Sequence, residues 1–127
     1  MIRQVIHIEH YWKIIVYYDI DYNLFDYISR DLYNEVSTPV EKIYDIYYNL
    51  QHKAKAVTVS SIDKHISVVA FNKHKNKYDY INSIVHEAEH IKQAMLKAYN
   101  VDDEGEPPAY TIGFIVMKML KLKQMKF

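Results

Sequence analysis

The chain has 127 residues, half of them hydrophobic, and 16 Lys plus Arg balance 16 Asp plus Glu. That length can bury one core, and the absence of net charge leaves no overall field to draw in nucleic acid or an anionic membrane. Cysteine is absent, which excludes disulfides and thiolate ligands, so any metal must be held by nitrogen and oxygen.

Residues 2–8 alternate, with Ile2, Gln4, Ile6 and Ile8 on one side and Arg3, Val5 and His7 on the other. Residues 12–18, WKIIVYY, are β-branched and aromatic; with Glu9, His10 and Tyr11 between them, the two runs predict a strand pair. Leu24, Tyr27, Ile28, Leu32 and Val36 recur at helical spacing behind Asp21 or Asn23 as a cap, which predicts a helix over 23–36. The run Ser37, Thr38, Pro39, Val40, Glu41 predicts a second helix, with a hydroxyl cap, proline at the first position and acid in the first turn. Its expected buried stripe is Val40, Ile43, Tyr44, Tyr47 and Leu50.

Residues 55–61 and 65–71 read as a hairpin around Ile62, Asp63 and Lys64. A long helix is predicted over 78–99, with Ile81, Ile84, Val85, Ala88, Ile91 and Met95 as its apolar stripe. Residues 101–105 are acidic and are expected to form a loop, and Pro107 and Pro108 are expected to open a last helix that runs to about Gln124. The order β-β-α-α-β-β-α-α predicts one α+β domain over residues 1–127. The first twenty residues lack a signal-peptide core, and the longest apolar stretch, around 114–117, is far shorter than the ~20 residues that cross a bilayer. A cytoplasmic protein is expected, without nucleic-acid or membrane partners.

The chemistry lies in the long helix, where His86, Glu87, Ala88, Glu89, His90 spell H-E-x-x-H. At about 100° per residue the two histidines stand one turn apart on one face, so two imidazole nitrogens can converge on one ion. Glu87 is offset from them, placed to act on water as a general base rather than as a ligand. Glu89 is expected to point to solvent. The other histidines, at 7, 10, 52, 65 and 74, read as surface or strand-edge residues, although His7 and His10 could line a cleft.

A catalytic zinc usually takes three protein ligands and leaves one position open. No histidine follows His90, so the third must be acidic: Asp102, Asp103, Glu104 or Glu106. Glu106 is favoured because it stands at the start of the last helix, with Asp103 or Glu104 as substitutes. On that helix Glu106, Tyr110 and Gly113 share a face. Gly113, mid-helix at a cost of ~1 kcal/mol relative to alanine, is expected to mark a close crossing with the H-E-x-x-H helix.

These residues resemble the zincin metallopeptidases of gluzincin type, in which a helical HExxH and a glutamate on a following helix hold zinc. Glu106, Pro107, Pro108 and Ala109 are similar to the start of the E-x-x-A-N pattern of the ImmA/IrrE-like proteins, with Tyr110 where asparagine would stand. The likeness covers about residues 55–125 and extends in size to small phage-encoded HExxH proteins. It implies a minimal zincin-like domain, in which a small antiparallel or mixed sheet packs on the HExxH helix and an antiparallel C-terminal helix. It also implies Zn2+ held by His86, His90 and Glu106, catalysis through Glu87, and a peptide or protein as substrate, with the strand near Ile66–Phe71 forming the cleft edge. The rival reading is a zincin-like interaction protein without proteolytic activity.

Overall fold

The computed structural model describes residues 1–100 and 106–124, with side chains over 1–100 and 111–121. The acidic loop expected over 101–105 lies outside the described residues. Four strands, β1 (Ile2–Ile8), β2 (Trp12–Tyr18), β3 (Ala56–Ser61) and β4 (Ile66–Phe71), form one mixed sheet in the order β1-β2-β4-β3. β1 and β2 pair antiparallel, as do β3 and β4, and the hairpins join through β2 and β4 running parallel, with Ile15 opposite Val68 and Val16 opposite Val69. Four helices complete the α+β fold: α1 (Phe25–Asn34), α2 (Val40–His52), α3 (Lys77–Tyr99) and α4 (Glu106–Gln124). A 3-10 turn at Tyr22–Leu24 leads into α1 and is capped by Asp21, whose side chain accepts from the Asn23 N–H.

Strand alternation sorts the core into two halves, one on each face of the sheet. Ile15 and Tyr17 of β2, with Val68 and Ala70 of β4, meet Phe25, Ile28 and Leu32 of α1 and Ile46 and Leu50 of α2. Trp12, Ile14, Val16 and Tyr18, with Val69 and Phe71, meet Tyr80, Ile84, Ala88 and Ile91 of α3 and Ile115 and Met119 of α4. The central strands are therefore wetted on neither face, which is why WKIIVYY reads as a nearly continuous apolar run. The first face is tied at its edge by a network in which Arg3 bonds Asp31 at 3.0 Å and the Tyr17 hydroxyl donates to the same carboxylate.

Several reversals of the chain use left-handed residues other than glycine. Glu9, Asp19, Ser37, His65 and Asn100 all take left-handed backbone angles, and Asn100 in that state ends α3. Asparagine and aspartate tolerate this region better than other side chains, since a short polar group can bond locally.

Three expectations about helix packing are corrected. Pro39 precedes α2 instead of opening it, and no side chain caps this helix; Ser37 is left-handed, and the buried Thr38 donates its N–H to Leu32 O. Of the expected stripe of α2, Leu50 is buried and Ile43 and Tyr47 are partly buried against the core, Ile46 joins them, and Val40 and Tyr44 are instead 65% and 74% exposed. Second, Val85 of α3 is exposed, and the buried face is shifted to include Tyr80, Ser83 and Glu87. Third, Gly113 is not a crossing point: it is exposed, and a Cβ added there would meet nothing within 4 Å. α4 turns Ile115 and Met119 into the core, and at about 100° per residue Gly113 lies roughly 160° round the helix from Ile115.

Two outcomes follow from this packing. Gly113→Ala should raise stability by up to ~1 kcal/mol, because a methyl group enters open space and the unfolded chain loses freedom; a lower thermal midpoint would contradict the exposed position of Gly113. Burial raises the hydroxyl pKa of Tyr17 to about 12 and pushes those of Tyr18 and Tyr80 up as well. A raised phenol pKa stabilises the fold fully below pH 10, the unfolded value, and that contribution is lost as pH rises through the folded value. Denaturation midpoints should therefore fall steeply between about pH 10 and about pH 12, and Tyr18→Phe should flatten the fall; a midpoint unchanged across that window would refute it.

Candidate metal centre

α3 is long and well delimited. Asn76 caps it by accepting from the Asp79 N–H at 2.9 Å, and Ile84, Ala88 and Ile91 hold its inner face against the sheet with no exposed surface. Counting about 100° per residue from that stripe, His86 and His90 fall on the outer side and Glu87 on the shoulder between. The side chains follow this geometry. His86 and His90 are exposed, their rings stand edge to face, and their Nε2 atoms are 3.1 Å apart. Glu87 is 4% exposed.

Glu87 is thus withdrawn from water, which its offset from the histidines does not by itself require. A buried carboxylate needs hydrogen-bond partners to offset lost hydration. Thr58 of β3 supplies one, its hydroxyl donating to Glu87 Oε1 at 2.9 Å. The other oxygen, Oε2, lies 3.9 Å from His86 Nε2. The ligand atoms of His86, Glu87 and His90 all fall within 4.8 Å of one another, so this group could hold a metal ion.

The two nitrogens suit such an ion. Nitrogens each bonded to zinc at about 2.0–2.1 Å with tetrahedral angles stand roughly 3.3 Å apart, close to the 3.1 Å between His86 and His90. Around them opens a cleft of about 890 Å³ between β3 and α3, lined on the strand side by Lys55, Ala56 and Thr58 and on the helix side by Asp79, Glu87 and His90. Lys55 and Asp79 bridge one end at 3.8 Å.

The cleft edge is β3, not the strand Ile66–Phe71. That strand, β4, lies inside the sheet with β2 on one side and β3 on the other, because β2 joins it in parallel. Glu89 keeps 45% of its side chain exposed, in keeping with a residue turned to solvent, and bonds Lys92 at 2.8 Å and Gln93 at 3.0 Å. The side chains of Asp102, Asp103, Glu104, Glu106 and Tyr110 lie outside the described residues; the backbone of Glu106 begins α4.

The remaining histidines are elsewhere. His7, His10 and His65 line a separate depression of about 300 Å³, where His65 stacks on Trp12 and bonds the Tyr99 hydroxyl at 3.0 Å. His74 is half-buried and bonds Ser83 Oγ at 2.7 Å, which corrects its reading as a surface residue. Thr58 belongs to the site but is missed by sequence reasoning. The one signal for it is strand alternation: Thr58 and Ser60 put hydroxyls on the face opposite Val57 and Val59.

No helix among the described residues is long and apolar enough to cross a membrane. No family model, curated protein or solved structure matches the chain.

Proposed function

We propose that the chain is a zinc-dependent hydrolase of zincin type, most simply a peptidase, with His86, His90 and Glu106 as ligands and Glu87 as the general base. The observation that carries this reading is the 3.1 Å approach of two exposed imidazole nitrogens beside a buried carboxylate. Bound zinc would supply Lewis acidity toward a carbonyl and make water acidic near pH 7, roughly.

The chain's own residues do the rest. His86 and His90 bind through Nε2 as neutral imidazoles. Glu87 takes the proton of the attacking water at Oε2 and returns it to the departing amine. The outer edge of β3 can pair with an extended peptide by strand addition, which places its backbone along the cleft.

A second reading has one observation in its favour. Tyr27, Tyr33, Tyr44 and Tyr48 on α1 and α2 are more than half exposed, and exposed aromatics are enriched where proteins meet. An interaction protein on a zincin-like scaffold would use that surface and need no activity.

Elemental analysis should find one zinc per chain, lost when both His86→Ala and His90→Ala are introduced. Uptake should weaken in acid because protonated imidazole cannot bind a metal. A wild-type protein that takes up no transition metal would end the metal reading.

Glu87→Gln should retain zinc and lose peptide hydrolysis by about 10²-fold or more, since it removes a base and not a ligand. Glu106→Ala should instead weaken zinc binding itself. Zinc affinity unchanged in Glu106→Ala but reduced in Glu104→Ala or Asp103→Ala would move the third ligand to that residue. Zinc binding without hydrolysis by the wild type across a diverse peptide library would favour the interaction protein.

A further inference from the structure

We propose that Thr58 is a positioning residue for Glu87, fixing one carboxylate oxygen so that the other is presented beside the histidine pair. The inference rests on the hydrolase reading and adds a residue from the sheet to a motif otherwise confined to one helix. A glutamate carboxylate turns easily about its last torsion, whose preferences are broad, so helix geometry alone does not decide which oxygen faces the metal. In this chain the choice is made across elements: Thr58 Oγ1 donates to Oε1 at 2.9 Å, while Oε2 lies 3.9 Å from His86 Nε2.

The donor is itself well placed. Thr58 stands opposite Val69 in the antiparallel register, and Val69 belongs to a central strand and has no exposed surface. The hydroxyl is thus carried on the sheet, and the bond joins β3 to α3 between two residues that both line the cleft. Because a carboxylate can only accept, the threonine proton must point at Oε1, which leaves the lone pairs of Oε2 available for a proton from the other side. Without that donor, the buried carboxylate loses its anchor on the sheet and is free to swing toward the histidines and bind the metal as a ligand.

The test uses the full-length chain loaded with cobalt(II), whose visible absorption reports the ligands around it. Wild type, Thr58→Val, Thr58→Ser and Glu87→Gln are compared, with Thr58→Ala in place of valine if that variant does not fold. Thr58→Val should still take up one cobalt per chain, since Thr58 is not a ligand. Its visible band should shift, and acetohydroxamic acid, which binds such a metal while giving a proton to a nearby base, should bind about tenfold more weakly, as expected for one lost hydrogen bond to a charged group. Glu87→Gln should weaken the same ligand at least as much, and Thr58→Ser, which keeps the hydroxyl, should restore both the band and the affinity.

Thr58→Val with a wild-type band and wild-type affinity overturns the proposal and leaves the metal reading intact. A serine variant that behaves like valine also overturns it, because the methyl group and not the hydroxyl would then matter. A lower thermal midpoint in Thr58→Val with no change in band or affinity overturns it too, and assigns the bond to stability alone. Failure of wild type to take up cobalt overturns the metal reading and this inference with it.

Discussion

The parallel pairing of β2 with β4 governs how the rest of the molecule is assembled. Each half of the chain is a hairpin followed by two helices, and neither hairpin alone has both faces covered. Joined through their second strands, the hairpins form a sheet that reads outward as β2-β1 on one side and β4-β3 on the other. The helices of the first half cover one face, and those of the second half cover the other. The two halves are thus arranged as if related by an axis running between the central strands, although no repeat is visible in the sequence. A parallel join also demands a long connection, and α1, α2 and β3 supply it.

The site follows from that arrangement. With β4 taken into the centre, β3 becomes the edge, and α3 must lie along the sheet with Ile84, Ala88 and Ile91 inward. The helical repeat then leaves little freedom. Glu87 is about 60° from His90 and about 40° from Ile91, so it straddles core and cleft, while the histidines stay outside. Burying a carboxylate there costs several kcal/mol of hydration unless hydrogen bonds offset it. The buried carboxylate stands where α3 gathers a group that could hold a metal ion, and burial of a polar group against the local rule of stability is characteristic of functional sites.

The elements are largely legible in the sequence because their signals are local. The alternation of residues 2–8, the apolar run of β2 and the periodic stripe of the long helix each identify an element within a few residues of its observed bounds. The histidine pair is legible for the same reason, since four residues on a helix fix their separation. Pairing over distance leaves no such local trace. The parallel join exchanges the expected edge, β4, for β3, and Thr58 becomes a neighbour of Glu87 although 29 residues separate them. Gly113 misleads because a glycine in a helix signals close packing only if its face is the packed one. Val40 and Tyr44 mislead because an apolar residue at helical spacing can sit on the flank of a stripe, and the sheet takes Ile43, Ile46, Tyr47 and Leu50 while leaving those two outside.

An interaction scaffold and a hydrolase place different demands on these residues. A scaffold gains from the exposed tyrosines of α1 and α2, and those lie on the face of the sheet opposite α3. It gains nothing evident from withdrawing Glu87 from water, whereas the two imidazole nitrogens, 3.1 Å apart, can also satisfy each other when one donates its N–H to the other. A metal ion would replace that hydrogen bond by taking the lone pairs of both nitrogens at one centre. Under the hydrolase reading the same ion would give the buried carboxylate a nearby charge and an acidic water to act on. The two surfaces can coexist because the sheet keeps them apart, so binding of a partner at the tyrosines need not disturb the cleft, and chemistry in the cleft need not depend on a partner.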